Sequence, residues 1–364
     1  MKVTVTKYLN VRVGEPSINA PNYQYLVPGC VIEVDGKLYE GEPFHGNTLW
    51  YKDKAGNYYW SGGIHPNPEL LSLITDSDFW FEKLHINDIW ETYAEQGDQS
   101  TVLILDTGIN DELDTFSGAL YETPKNFVPG STTTKSVDPQ NHGTHCAGII
   151  ASRPLKYRIG IAPYSKLMVA KINERGSLKD ASSMNDALEE YLKPKYDGLI
   201  DIISISQSLL LSDVDLERLI NEHLAKGRIV ITAIGNDSFQ ENLNIEQYPG
   251  FYKSTIAVGA CERDHSLSNY TCYPSAVDIF CYGTDIKSYT KENYPLPLTG
   301  TSQATAMVSG ICALVVSYLK KRGETISNTE LKKLLQRTAI PLTNNNDYKL
   351  IQPKMIFEQL ILAV

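Results

Sequence analysis

Thr101-Val102-Leu103-Ile104-Leu105-Asp106-Thr107-Gly108 is the stretch from which the fold can be read. An apolar run that stops at an acid and a Gly-containing turn reads as a strand buried on both faces. Four more runs of this kind follow: Leu167 to Ile172, Ile200 to Ser206, Ile229 to Ile234 and Thr255 to Ala260. Between and after them, Ser183 to Leu192, Asp215 to Lys226 and Ser302 to Lys320 carry helical patterns. Strand and helix in alternation predict an α/β class over residues 100–364, a doubly wound and mostly parallel sheet with helices on both faces.

Upstream, the character changes. Residues 1–66 hold short strand-like runs, Val3 to Val11, Val27 to Val34, Leu49 to Asp53 and Tyr58 to Trp60, with a turn at Lys54-Ala55-Gly56-Asn57. That punctuation predicts a small all-β barrel. Residues 67–99 read as a linker with one helix, Phe79 to Ala94. The chain of 364 residues thus suits about two domains, and its 42% hydrophobic content can bury a sizeable core.

The net charge of −10 argues against a role in binding nucleic acid, which calls for a basic patch. The N-terminus alternates apolar and polar residues and lacks an apolar core of the secretory kind, so a cytoplasmic enzyme is the default, or a secreted one if a leader has been removed. Apolar stretches such as Ile311 to Val316 are too short for a membrane span. The six cysteines, at 30, 146, 261, 272, 281 and 312, show no zinc-type pairing. Reduced thiols are expected, with a disulfide among Cys261, Cys272 and Cys281 as the alternative.

Three segments carry candidate chemistry. Asp106 stands at the carboxyl end of its strand, where open α/β sheets build their sites, though an acid there can also simply cap a turn. His142-Gly143-Thr144-His145 opens an apolar helix whose dipole would favour a neutral imidazole, as a base requires. A packed histidine, or a metal site using His142 and His145 with Asp106 as a third ligand, are the competing readings. Ser302, within Leu298-Thr299-Gly300-Thr301-Ser302, precedes a helix with Ala304, Val308, Ile311, Cys312 and Val315 on one face. It is either an N-cap or a nucleophile beside a helix dipole that can support an oxyanion.

Taken together, Leu105-Asp106-Thr107-Gly108, His142-Gly143-Thr144-His145 and Gly300-Thr301-Ser302 closely resemble the motifs of subtilisin-like (S8 family) serine proteases, in that family's Asp, His, Ser order. The separations of 36 and 160 residues are ordinary for it. The resemblance spans roughly residues 82–340. It implies catalytic Asp106, His142 and Ser302, with Asn236, after the strand ending in Ala233, as oxyanion donor. It places Ser206, Gln207, Ser208 and Gly235 in the substrate-binding wall. No metal or other cofactor is implied. Protein or peptide substrates are. Three departures stand out. Ala306 and Met307 replace the family's proline and histidine, and Ser208 and Leu209 replace two pocket glycines, which predicts a narrower or reshaped pocket. The segment Ser152 to Arg158 lacks the carboxylates of the family's calcium loop, so no calcium is expected there.

Residues 1–66 are similar to bacterial SH3 (SH3b) domains, through Leu9-Asn10-Val11-Arg12, Gly14, Ser17, Trp50-Tyr51 and Trp60. That likeness implies a peptide or cell-wall ligand. The alternative to an active endopeptidase is a catalytically silent protease fold that uses this module for recognition.

Overall fold

The computed structural model describes residues 1–5, 9–26, 31–44, 47–65, 79–131, 137–154, 159–174, 178–236, 245–290, 295–343 and 345–362. The chain divides into two compact units, Met1–Phe79, and Trp80–Pro154 with Ile159–Val364.

The smaller unit is antiparallel throughout. Its strands are β1 (Lys2–Val5), β2 (Leu9–Val13), β3 (Asn22–Leu26), β4 (Val31–Phe44), β5 (Asn47–Asp53), β6 (Asn57–Trp60) and β7 (Ile64–His65), in the sheet order β3-β2-β6-β5-β4-β1-β7. The expected turn joins β5 to β6. Gly56 takes φ 89° there, and the Asp53 carboxylate accepts from the Ala55 and Asn57 backbone N–H groups. Val3, Leu9, Val11, Val34, Trp50 and Trp60 pack beneath the sheet. Both indoles stay satisfied: Trp50 Nε1 donates to Glu42 O and Trp60 Nε1 to Asn47 O, each at 3.1 Å.

The larger unit opens with α1 (Phe79–Lys83) and α2 (Ile86–Tyr93) rather than the single helix expected from Phe79 to Ala94. His85 breaks it by adopting φ 54° and ψ 35°, a left-handed conformation that no α-helix can continue through. Trp80, Phe81, Ile86, Ile89 and Trp90 are nonetheless all buried.

The sheet strands are β8 (Thr101–Asp106), β9 (Lys125–Asn126), β10 (Lys166–Lys171), β11 (Ile202–Ile205), β12 (Ile229–Ala233), β13 (Ile256–Cys261) and β14 (Ile279–Tyr282). A separate hairpin, β15 (Ile286–Tyr289) and β16 (Pro295–Leu298), and a C-terminal pair, β17 (Ile340–Leu342) and β18 (Asn345–Leu350), complete the strands. The sheet runs β17-β18-β14-β13-β12-β11-β8-β10-β9. Every pairing in it is parallel except β17 with β18. The expected mostly parallel sheet is therefore present, with an antiparallel edge pair that the sequence pattern did not reveal. The strand order reverses at β8, whose neighbours are the later β10 and β11. A crevice opens at the carboxyl ends of the strands at such a switch point, and Asp106 lies at that end.

The helices are α3 (His142–Ala151), α4 (Ser182–Tyr191), α5 (Val214–Ala225), α6 (Thr301–Lys321), α7 (Asn328–Thr338) and α8 (Pro353–Leu362). α6 is long and apolar enough, with mean hydropathy 1.5, to cross a bilayer on composition alone. That corrects the expectation drawn from its shorter apolar runs. It is 94% buried within the protein, however, and so serves as the core helix. Its Ser309 hydroxyl donates to Ser204 of β11 at 2.9 Å, keeping polar groups satisfied in that interior. Among the described residues Cys146, Cys261, Cys272, Cys281 and Cys312 are free buried thiols, so the alternative disulfide is not formed. Cys30 lies outside the described residues.

Candidate active site

Several chain segments converge on one cleft of about 690 Å³, lined among others by Thr107, His142, Ser206, Gln207, Ser208, Asn236, Gln247 and Ser302. The Thr107–Gly108 turn after β8 delivers Asp106, which is fully buried. The turn is locked to the start of α3 by Asp138, a residue that the sequence reading passed over. Its carboxylate accepts from the Thr107 hydroxyl at 2.8 Å, and from the Thr144 backbone N–H and hydroxyl at 2.7 Å each. The Thr107 hydroxyl in turn accepts from the Gly143 N–H at 2.9 Å. Gly143 has no alternative: a Cβ there would come within 2.1 Å of the Gly108 carbonyl oxygen. The signal for Asp138 was an acid shortly before a helix start; it stands three residues ahead of the N-cap, Asn141, and still reaches the Thr144 N–H.

This clamp sets His142 against Asp106. His142 Nδ1 donates to Asp106 Oδ1 at 2.6 Å, and that oxygen also accepts from the Thr107 N–H at 2.7 Å. The imidazole keeps 26% of its side-chain surface exposed to the cleft. Burial opposes its charged form, but the Asp106 carboxylate and the Cys146 sulfur outweigh burial and hold its pKa well above the usual histidine range. The helix-dipole expectation of a more neutral imidazole is thus overridden by a carboxylate in direct contact.

His145 is the opposite case. It is fully buried, its Nε2 lies 3.0 Å from the Leu296 carbonyl, and burial pulls its pKa down to about 3. It points away from the cleft partners, so the pairing of His142 with His145 around a metal is not formed. Asp106, His142 and Cys146 do bring potential donor atoms within 4.8 Å of one another. Two of those atoms are already committed to the short Asp106–His142 hydrogen bond, which fits proton handling better than a metal cage.

Ser302 is the second residue of α6 and is 5% exposed. Its hydroxyl donates to the Ser206 carbonyl at 3.1 Å, and the Ser206 hydroxyl donates back to the Ser302 carbonyl at 3.3 Å. Among the described residues Ser302 makes no hydrogen bond to His142. The expected Ser–His link is therefore not made in this structure, and such links are commonly loose before substrate binds.

Asn236 follows β12 and is tied down from one side. Its Oδ1 accepts from the Thr301 N–H at 2.8 Å and from the Thr301 hydroxyl at 2.9 Å. With Oδ1 so engaged, the donor of this cleft-lining residue is Nδ2. A Cβ on Gly300 would lie 3.0 Å from it, which puts the amide over the backbone entering α6.

The pocket wall departs from a glycine-lined one. The Ser208 hydroxyl donates to Gln247 Oε1, and a Cβ on Gly235 would meet that same oxygen at 2.2 Å. The Leu209 and Tyr248 backbones exchange two hydrogen bonds of 2.8 Å. Residues Leu155 to Arg158 of the expected calcium-free loop lie outside the described residues.

A doubly wound sheet bearing a buried acid, an imidazole and a helix-borne hydroxyl around one cleft has the makeup of the serine peptidases. The chain belongs to the subtilase family (peptidase S8), whose model matches residues 97–355. It is similar to M-protease of Shouchella clausii strain KSM-K16, 30% identical over 68% of this chain and 60% of that protein. Subtilisin Savinase of Lederbergia lenta is 29% identical over 68% of the chain and 86% of its own length. Minor extracellular protease Epr of Bacillus subtilis strain 168 is 27% identical over 79% of the chain and 43% of its own length. The chain thus spans less than two thirds of M-protease and of Epr.

Proposed function

We propose that the chain is a subtilisin-like serine endopeptidase whose triad is Asp106, His142 and Ser302. The observation that carries this reading is the 2.6 Å Asp106–His142 hydrogen bond, set in the same cleft as a hydroxyl at the N-terminus of α6. Ser302 Oγ attacks the scissile carbonyl carbon while its proton passes to His142 Nε2. Asp106 holds Nδ1–H, so Nε2 presents its lone pair, and it stabilises the imidazolium that forms. The negative oxygen is received by Asn236 Nδ2 and the Ser302 N–H. His142 then protonates the leaving amine as the C–N bond breaks, leaving an acyl-enzyme that water hydrolyses by the same steps in reverse roles. Ser206, Gln207, Ser208 and Gly235 form the substrate wall. The Ser208–Gln247 contact supports a pocket smaller and more polar than glycines would leave.

The substrates are proteins or peptides. Export from the cell suits this reading better than the cytoplasmic default, since one relative is extracellular by name. We also propose residues 1–66 as an SH3b-like module, 67–99 as a connector and 100–364 as the peptidase domain. The antiparallel sheet and the buried Trp50 and Trp60 support the module. Deleting residues 1–66 should alter substrate range; unchanged kinetics on every protein substrate would sink a recruiting role.

A fluorophosphonate probe tests the central claim. Folded wild-type protein should label at Ser302. No label on folded protein would leave a silent protease fold instead.

A further inference from the structure

Asn173 follows β10 by two residues and Gln207 follows β11 by two. β8 lies between those strands, so a bond from Asn173 to Gln207 crosses above the end of β8, where Asp106 sits. That bond exists: Asn173 Nδ2 donates to Gln207 Oε1 at 2.9 Å. Both side chains are buried, at 5% and 8% exposure. With Oε1 occupied, Gln207 Nε2 lies 3.4 Å from Asp106 Oδ1 and 3.4 Å from His142 Nδ1. The amide cannot face the other way, because Oε1 would then oppose a carboxylate oxygen that can only accept. At 3.4 Å the contact is longer than an ordinary hydrogen bond and acts mainly as an oriented dipole.

We propose that Gln207, aimed by Asn173, is a positioning residue for the Asp106–His142 pair, and that its amide limits the proton affinity of the imidazole. The inference rests on the triad reading given above and adds to it a residue from the segment that follows β11. An N–H dipole directed at Asp106 Oδ1 draws carboxylate charge away from His142, and the same dipole opposes positive charge on the ring. Both effects favour the neutral base. The titratable groups facing His142 are Asp106 from the β8 turn and Cys146 and His145 from its own helix. Among the described residues, α6 and the 206–208 segment bring neutral groups, Ser302, Ser206 and Gln207, so Gln207 is the counterweight to Asp106 from that side.

The test compares wild type with Gln207→Leu, Gln207→Glu and Asn173→Leu. The pH profile of kcat/KM on one peptide substrate is measured, with fluorophosphonate labelling at high pH in the same preparations. In Gln207→Leu the acid limb should move up by about half to one pH unit, and kcat/KM on that limb should fall about three- to tenfold. Gln207→Glu, which puts a carboxylate where the amide dipole stood, should move it further. Asn173→Leu should move it less, in the same direction. If Gln207→Leu does not fold, the other two variants decide. An acid limb that stays put in Gln207→Glu and Asn173→Leu, in protein that labels as wild type does, overturns the inference. Wild type that does not label overturns the triad reading beneath it instead.

Discussion

Two helices begin at the cleft, and they are prepared to different degrees. At α3 the parts are already joined. Asp138 caps the first turn, Gly143 lets it press on Gly108, and His142 rests on Asp106 at 2.6 Å. At α6 the scaffold is just as firm, with Thr301 tied twice to Asn236, yet the Ser302 hydroxyl bonds a backbone carbonyl instead of the imidazole. The contrast follows from charge. A carboxylate and an imidazole gain strongly from contact in a buried site, whereas a neutral hydroxyl gains about as much from one acceptor as from another. The acid–base half is thus set by electrostatics, and the nucleophile half is left to substrate.

The comparison breaks most sharply at Ser302. Ser302→Ala should lower kcat by about 10⁴-fold or more while leaving the Asp106–His142 pair in place. The check is peptide turnover with the His142 ring-proton signal followed in parallel. Turnover within tenfold of wild type would remove Ser302 from the chemistry.

Asn236→Ala should come next. The loss of one oxyanion donor is worth about 10²–10³ in kcat, with KM little changed. This substitution also strips Thr301 of its acceptor, so a drop in thermal stability should accompany it. An equal rise in KM and no change in kcat would make Asn236 a ground-state binder.

Asp138→Ala tests the α3 side. A buried carboxylate that accepts from Thr107 and twice from Thr144 leaves several donors stranded when removed. The expected cost is about 2–4 kcal/mol of unfolding free energy, seen as a lower Tm, with activity falling only as His142 loses its fixed approach. No change in Tm would show that Gly143 packing alone holds the turn.

The features legible in sequence are those set by local patterns. The apolar runs around Val102, Val169, Ile203, Val230 and Val258 gave the strands, and the turn after Leu105 put Asp106 at a strand end. What stayed hidden depends on atoms far apart in the chain. Gln207 reaches an Asp 101 residues upstream and a His 65 residues upstream, and nothing near Gln207 announces that. Asp138 resembles an ordinary turn acid beside Pro139. The break at His85 is a backbone choice that helix-forming neighbours do not betray. The β17–β18 pair is polar along much of its length and lacks the continuous apolar run of the buried strands. The sign of the His142 shift was missed because a helix dipole was weighed without the carboxylate that lies closer.

The smallest effect is also the most discriminating. Thr301 supplies two links to Asn236 Oδ1, one from its backbone and one from its hydroxyl, and the hydroxyl also accepts from the Gly235 N–H at 3.3 Å. Thr301→Val keeps the shape and the backbone link and deletes the rest. If the α6 end is held as firmly as the α3 end, one lost hydroxyl should cost about 1 kcal/mol. The same loss would lower kcat about fivefold where the amide it steadies acts on the transition state. The pH profile should not move, because Thr301 touches neither Asp106 nor His142. A shifted acid limb in Thr301→Val would mean that the two helix ends are coupled before substrate arrives. An unshifted limb with lower kcat would mean that they are built separately and meet only at the reacting carbonyl.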